Sequence, residues 1–346
     1  MKKLEYSMNL KFLVINFLFL IFAACSHNFA VMTVEKDPAS GQFIIKELGQ
    51  PVLQYNYQTV YEKDVVRSES QKNKKIEYYP IGGVYLDEYY KSNPAVTNEG
   101  KATSAIWAIP RSDYIHPLYG LNSEILTNDW PDADHPHHRG IFWAWPEVEY
   151  GSQRGDIYAL QRIFARPTNH VKWINHFKYA EIQAENNWMW EDKKAIVNEW
   201  VTIRAYRASE GKRIIDLTVR MLALVDSITI ATRFTNSYGG LNVRMATPKN
   251  QKISHYTDTT NVLPAKCWAD FSGIFEGSQS TSGMTILQHS ENPEYPGQWV
   301  EYPDLSWVQP TFPTPNTRYP LSKEKPLVLR YQLIVHQGEK PSLIEN

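Results

Sequence analysis

Apolar and polar residues alternate with a period of two in the clearest segments of this chain, residues 52–57 and 196–206. Successive side chains of a strand point to opposite faces of a sheet, so this alternation predicts strands that bury one face. Shorter runs rich in β-branched and aromatic residues predict further strands at 43–45, 114–120, 171–173, 177–179, 214–224, 228–234, 284–287 and 327–335. Many strands with hairpin-length connections predict an all-β fold, a large antiparallel β-sandwich.

Helical periodicity is rare, and its best example is residues 157–164. Ile157, Leu160, Ile163 and Phe164 follow the spacing of one helix face, and Pro167 would end the helix. This segment is therefore the main helix prediction.

The N-terminal residues have the pattern of a lipoprotein signal. Lysines precede an apolar run at residues 12–24, and small residues lead to Cys25. The run is too short to span a bilayer, and a buried N-terminal helix is the less favoured alternative. We expect a signal peptide at 1–24, a lipidated Cys25, a tether over 25–41 and a single sandwich domain over 42–346.

This reading predicts a periplasmic protein anchored to a membrane by its lipid. The residues after Cys25 lack the acidic run that often directs lipoproteins to the cell surface. Lipidation would leave Cys267 without a disulfide partner, so we expect Cys267 to be a small buried apolar residue.

Composition narrows the classes of function. The 36 basic and 37 acidic residues are mixed along the chain, so a basic stripe for nucleic acid is not expected. The 11 Trp, 21 Tyr and 13 Phe favour strands and also supply flat rings that can stack on sugars.

Residues 128–147 concentrate more reactive side chains than any other window. Three of the ten histidines, His135, His137 and His138, lie within four positions, and Arg139, Trp143 and Trp145 follow them. Imidazoles act as acid, base or metal ligand near neutral pH, so the window is the main candidate for a site.

A metal site is one alternative for this window. His135 and His137 would lie on the same side of a strand, and a third ligand would come from His116, Glu147, Glu149 or His289. The spacing matches no standard zinc signature, so we expect proton transfer and no metal or other cofactor.

Paired carboxylates for glycoside hydrolysis are a second alternative, because Asp132, Asp134, Glu147 and Glu149 cluster in sequence. Residues 239–245 (Gly-Gly-Leu-Asn-Val-Arg-Met) are a separate candidate, in which Asn242 and Arg244 would share one strand face. Their simpler interpretation is a hairpin turn with an exposed arginine.

Several segments together resemble the PmoA-like family of secreted bacterial proteins. The specific part is residues 134–140 (Asp-His-Pro-His-His-Arg-Gly), and the weaker parts are residues 114–118, 239–244, 289–299 and 329–338. The resemblance implies a sandwich of the galactose-mutarotase type. It is closest to oligosaccharide dehydratases of ulvan breakdown in marine Bacteroidota, which leave an unsaturated uronyl residue.

Such a dehydration needs the uronate charge neutralised, a base for the C5 proton and an acid for the departing hydroxyl. The resemblance implies Arg139 or Arg244 for the first task, His137 or His138 as base, and a second histidine or Tyr119 as acid. The substrate-binding side chains that we expect are His116, Tyr119, His135, Trp143, Trp145, Asn242, His289 and Asn292.

The expected partner is thus an anionic oligosaccharide, with no protein partner predicted. A glycoside hydrolase, a sugar epimerase and a non-catalytic glycan-binding lipoprotein remain alternatives. Convergence of Arg244 and His289 on the histidine window is the sharpest structural expectation.

Overall fold

The computed structural model describes residues 30–61, 110–129, 137–255 and 267–340. The predicted signal peptide, Cys25 and His135 lie outside these residues, as do Asp132 and Asp134. The described strands form antiparallel sheets packed as a sandwich, which confirms the all-β prediction. Strands are numbered in chain order.

One layer is a six-stranded sheet with the order β1-β2-β3-β4-β5-β13. Its strands are β1 (Met32–Lys36), β2 (Phe43–Glu47), β3 (Gln50–Asn56), β4 (Tyr114–Leu118), β5 (Ile141–Ala144) and β13 (Gly240–Val243). All residues of β4, β5 and β13 are buried. These neighbouring strands therefore form the most enclosed part of this sheet, and β5 directly follows the three histidines.

The other layer is an eight-stranded sheet with the order β14-β15-β16-β20-β11-β10-β9-β8. Its strands are β8 (Ile163–Asn175), β9 (Tyr179–Trp190), β10 (Lys194–Tyr206), β11 (Lys212–Ala223), β14 (Lys249–His255), β15 (Trp268–Ile274), β16 (Ser282–Gln288) and β20 (Leu327–Gln337). Buried and half-buried residues alternate along β9, β10 and β11, as the period of two predicts.

Two smaller sheets extend the sandwich near the histidine window. A four-stranded sheet has the order β19-β12-β6-β7, from β6 (Glu147–Tyr150), β7 (Gln153–Gly155), β12 (Ile228–Ala231) and β19 (Tyr319–Leu321). A two-stranded ribbon is formed by β17 (Trp299–Tyr302) and β18 (Trp307–Pro310). Short 3-10 turns cover Arg233–Thr235 and Pro303–Leu305.

The helix prediction for residues 157–164 is wrong. Residues 157–160 form turns and β8 begins at Ile163. Leu160 and Arg162 have φ of 59° and 68°, which an α-helix does not allow, and the Asp156 side chain accepts a hydrogen bond from the Ala159 amide at 2.7 Å. The helix-like spacing arises because the turn packs its apolar side chains against the core.

The first sheet also begins earlier than the predicted domain start at residue 42. β1 lies within the segment expected to be a tether, pairs with β2, and buries Met32 and Val34. These two apolar residues, two positions apart, turn the same face to the core.

Cys267 is buried, as expected, and burial raises the pKa of its thiol. Within the described part of the chain, no helix has the length and apolar character needed to cross a bilayer.

Two carboxyl groups, Asp113 and Glu199, meet in the core between the large sheets. Tyr55 donates to Asp113 at 2.6 Å, and the Trp188 indole donates to Glu199 at 2.8 Å. Burial raises the pKa of both groups, and the neighbouring Asp113 charge raises the pKa of Glu199 further. Glu199 is therefore the protonated member and donates to the Asp113 carboxylate.

Glu199→Gln should make the protein less sensitive to alkaline pH. A carboxyl whose pKa is raised on folding contributes most below its unfolded pKa, and that contribution is lost as pH rises towards the folded pKa. Glutamine keeps the shape and the donor but takes up no proton. The unfolding free energy of the variant relative to the wild type should therefore grow above about pH 5, by at most about 1.4 kcal/mol per pH unit.

Urea unfolding at several pH values measures this difference, with Glu210→Gln at an exposed turn as the control. Parallel pH curves for the wild type and Glu199→Gln would show that Glu199 is ionised in the folded protein.

Candidate functional site

Gly140, the last residue of the 134–140 motif, is held against the first sheet by backbone hydrogen bonds. Gly140 donates to the Asn128 carbonyl at 2.7 Å and accepts from the Arg244 amide at 2.9 Å. Its φ is +59°, and a Cβ at this position would lie 2.3 Å from the Ile115 carbonyl oxygen. Only glycine fits such a close approach with a left-handed backbone. The glycine of the motif thus fixes where the preceding side chains point.

Arg139 is buried and anchors the chain through Asp129 and Tyr114. Its guanidinium donates to the Asp129 carboxylate and, at 2.6 Å, to the Tyr114 hydroxyl, which itself donates to Asp129 at 3.0 Å. Burial alone would lower the pKa of Arg139, but the Asp129 charge, Tyr114 and the hydrogen bonds to both together offset it, and the net pKa is raised. The expectation that Arg139 neutralises a uronate stays a prediction, and the described partner of its charge is the buried Asp129 carboxylate.

His138 lies at the centre of the candidate site. Its ring stacks on Trp307 with centroids 4.4 Å apart, Nδ1 lies 3.2 Å from an Arg244 guanidinium nitrogen, and Nε2 lies 3.1 Å from the Tyr158 hydroxyl. The His137 ring stands edge-on at 4.5 Å and is half-buried. The structure thus brings together His137, His138 and Arg244, three of the four residues predicted to be catalytic.

These contacts fix the tautomer of His138. A guanidinium only donates hydrogen bonds, so Nδ1 accepts and the proton of the neutral ring lies on Nε2. Nε2–H then donates to the Tyr158 oxygen, and the hydroxyl hydrogen of Tyr158 points to another acceptor. The site thus contains a proton donor, the Tyr158 hydroxyl. The His138 imidazole bonds its oxygen, and the Arg244 guanidinium bonds that imidazole.

Tyr158 is placed by two buried charges. The Arg111 guanidinium donates to the backbone carbonyls of Ile157, at 2.8 Å, and Tyr158. Asp156 caps the same turn, and burial raises the pKa of Tyr158 well above its ordinary value. Tyr158 therefore stays protonated at neutral pH and keeps a hydroxyl hydrogen that it can donate.

Arg244 follows β13 and is buried, so the alternative of a hairpin with an exposed arginine is wrong. Asn242 does not face the same site. Its amide donates to the carbonyls of Gly240 at 2.8 Å and Ala144 at 3.3 Å, inside the first sheet. Asn242 thus links two backbone carbonyls of the first sheet, and its contact with substrate stays a prediction.

Trp143 and Trp145, predicted to stack on sugar, are both buried members of the core. Trp143 lies beside the Asp113 and Glu199 carboxyl pair, and Trp145 donates to the Phe312 carbonyl at 2.7 Å. Both are buried, as are Phe142 and Ala144, because both faces of this part of the first sheet are covered.

His116 and Tyr119, also expected to bind substrate, serve β4 and its turn. The His116 ring lies 2.9 Å from the Thr127 hydroxyl and is buried beneath Gly140. Tyr119 is half-buried and its amide donates to Val52. Their described contacts are with the sheet and not with His138.

His289 and Asn292 do not converge with the histidine window. His289 is exposed, and its ring accepts from the Glu291 amide at 3.1 Å. Asn292 bonds both backbone groups of Arg330, at 2.7 and 2.8 Å. Arg244 and His289 were both expected near the histidines. Arg244 contacts His138, whereas the His289 amide donates to the Arg330 carbonyl of β20.

The carboxylates of β6 are already paired with arginines. Glu147 accepts from Arg318 and from the Phe234 amide, and Glu149 lies 3.2 Å from Arg318. Within the described residues, no three His, Cys, Asp or Glu side chains lie close enough to hold a metal ion together.

Sequence reasoning missed the residues that complete the site, Tyr158, Trp307 and Tyr238. Tyr238 stacks on Tyr158 with centroids 4.9 Å apart and accepts from Arg233 at 3.2 Å. No local motif marks them, because each reaches His138 from a different loop or strand.

Comparison with known proteins places the chain in a family without assigning an activity. No curated protein matches the sequence. A family model described as a family of unknown function, DUF6807, matches residues 102–343, which include His138, Tyr158, Arg244 and Trp307. The chain therefore belongs to the DUF6807 family.

Proposed function

We propose that this protein is a carbohydrate-active lyase. It removes water from the non-reducing-end uronic acid of an anionic oligosaccharide, as the ulvan dehydratases of the resemblance do. Anchoring through Cys25 and a periplasmic location belong to the same proposal. The observation that carries it is His138, held between the Arg244 guanidinium and the Tyr158 hydroxyl on the face of Trp307.

His137, His138 and Tyr158 carry out the proton-transfer steps of the reaction. His137 takes the C5 proton, and the C5–H electron pair becomes the C4–C5 double bond. Tyr158 gives its proton to the departing C4 hydroxyl, which leaves as water. The Nε2–H of His138 stabilises the phenolate that forms, and Arg244 supplies positive charge for the growing enediolate of the uronate. A proton passed from His137 to Tyr158, whose rings lie 5.5 Å apart, restores the site.

Two features favour elimination over hydrolysis. Glycoside hydrolysis depends on two carboxyl groups across the scissile bond. Among the described residues, Glu147 and Glu149 are instead paired with Arg318, whereas the groups in contact with His138 include imidazole, phenol and guanidinium.

Incubation with saturated oligosaccharides that end in a uronic acid tests the proposal. We expect the ultraviolet absorbance of a conjugated unsaturated product and a mass loss of one water. Released monosaccharide without that absorbance would indicate hydrolysis, and an unchanged substrate mass for every such oligosaccharide would refute the proposal.

His138→Ala should reduce this turnover by at least about 100-fold, because it removes the group that supports the acid. His289→Ala is the matched control, since His289 is an exposed histidine of the same domain away from the site. We expect His289→Ala to retain wild-type kcat/KM. Equal losses in the two variants would show that the effect at His138 is not specific to the site.

A further inference from the structure

Exposed aromatic side chains lie near the candidate site. Phe234 and Tyr302 are 55% and 38% exposed, which is unusual for side chains of this size in a domain that buries most of its aromatic residues. Tyr238 lies between them, half-buried. We define the aromatic rim as Phe234, Tyr238 and Tyr302.

The rim connects to His138 through intermediate side chains on two sides. On one side Arg233 lies 5.9 Å from the Phe234 ring and 5.7 Å from the Tyr238 ring, and Tyr238 stacks on Tyr158. On the other side Tyr302 is the cross-strand partner of Trp307 in the ribbon. Directly paired residues share one face of a ribbon, so Tyr302 lies beside the ring on which His138 stacks.

Phe234 has a backbone conformation that is unfavourable for a residue with a bulky side chain. Its φ and ψ of 53° and 23° are left-handed, a region that bulky side chains rarely adopt. The Glu147 carboxylate accepts from the Phe234 amide at 2.8 Å, and the Arg233 amide donates to the Tyr238 carbonyl at 2.8 Å. Buried and charged groups thus maintain a strained backbone that presents an apolar ring to solvent, an arrangement that stability alone does not favour.

We propose that the aromatic rim binds the second sugar of the substrate, the residue joined to the uronic acid at the site. This inference rests on the proposed function for the identity of the first sugar. Exposed aromatic rings beside tyrosine hydroxyls suit a pyranose, which offers apolar C–H faces and polar edges. Because His138 is buried and the rim is exposed, the chain end enters first and the remaining sugars extend outwards. This geometry selects oligosaccharides over single uronic acids.

Binding of one-ring and two-ring ligands separates the rim from the catalytic cluster. Calorimetry would compare a methyl uronoside with a uronic-acid-ended disaccharide, in a Tyr158→Phe background that prevents turnover. We expect Phe234→Ala and Tyr302→Ala each to raise the Kd of the disaccharide about five- to tenfold and to leave that of the methyl uronoside unchanged.

Phe177→Ala is the matched control, because Phe177 is 52% exposed at the turn between β8 and β9, where it contacts His176. Phe234→Gly adds a test of the strain: it should weaken disaccharide binding like Phe234→Ala while raising the melting temperature above that of Phe234→Ala.

Unchanged disaccharide affinity in Phe234→Ala and Tyr302→Ala would overturn the proposed role of the rim. An equal rise in the Kd of both ligands would overturn it as well. Either result would leave the lyase proposal intact if the wild type still forms unsaturated product. Conversely, weaker disaccharide binding in the rim variants without any turnover by the wild type would support the rim and refute the lyase.

Discussion

Tyr158→Phe should lower kcat on uronic-acid-ended oligosaccharides by about 10²- to 10⁴-fold, the range for loss of a general acid. The substitution deletes one hydroxyl and keeps the ring contacts with Tyr238 and His137. Because burial raises the pKa of Tyr158 well above its ordinary value, the wild-type group is protonated over the working pH range. The loss should therefore appear in kcat, with KM changed much less.

The pH profile distinguishes this role from a structural one. If Tyr158 is the acid, its deprotonation lowers the wild-type rate only at strongly alkaline pH. Any change of the rate nearer to neutral pH then reports the protonation of the base. The residual activity of Tyr158→Phe should keep the same acidic limb, since His137 is unchanged. A shift of that limb would instead assign Tyr158 to removal of the C5 proton.

Tyr119→Phe is the matched control for this substitution. Tyr119 was the tyrosine that sequence reasoning assigned as acid, and burial raises its pKa as well. Its described position is the end of β4, where its amide bonds Val52. We expect Tyr119→Phe to turn over substrate at close to the wild-type rate, and a large loss there with little loss in Tyr158→Phe would reverse the assignment. Circular dichroism and melting temperature show whether each variant is folded.

The strands could be predicted because alternation reports which face is buried, and the faces of β9, β10 and β11 follow it residue by residue. The helix-like spacing at residues 157–164 misled because a tight turn that packs on a core also presents apolar side chains three and four positions apart. Backbone conformations such as the positive φ of Leu160 depend on local bonds to Asp156 that no periodicity reveals.

The site could be predicted only in part, since a sequence window does not distinguish a side chain that anchors a loop from one that faces a cleft. His138 and Arg139 are neighbours, yet one meets Tyr158 and the other meets Asp129. Adjacent residues in an extended segment point in opposite directions, so a motif that contains both serves two purposes. Trp143 and Trp145 illustrate the same ambiguity, because stacking on sugar and packing in a core use the same residue.

The aromatic content predicted carbohydrate binding but did not show which rings are exposed. The tryptophans nearest to the histidines in sequence are buried, whereas Phe234 and Tyr302 lie in loops and ribbons far along the chain. Loops carry the exposed rings because the rigid sheets fix where each loop begins and ends. Proximity in sequence was therefore a poor guide to proximity in the site.

Asp129→Asn should lower the free energy of unfolding by about 3–5 kcal/mol, the cost of leaving one buried charge without its partner. The Arg139 and Asp129 side chains are 1% and 2% exposed, and Tyr114 bonds both of them. Asparagine keeps the volume of aspartate, so the effect reports charge and not packing. The loop also carries His138, so activity should fall with stability.

A surface pair provides the control, because Arg166 and Asp192 form a two-pronged ion pair with both bonds at 2.8 Å, but their side chains are 26% and 42% exposed. Solvent screens such pairs, so Asp192→Asn should cost about 1 kcal/mol or less in the same urea titration. Arg139→Met combined with Asp129→Leu should recover much of the stability lost in Asp129→Asn, since an apolar pair leaves no buried charge behind. If the double variant instead stays as unstable as Asp129→Asn, the network stabilises the fold through its hydrogen bonds to Tyr114, and the anchoring of His138 depends on that tyrosine.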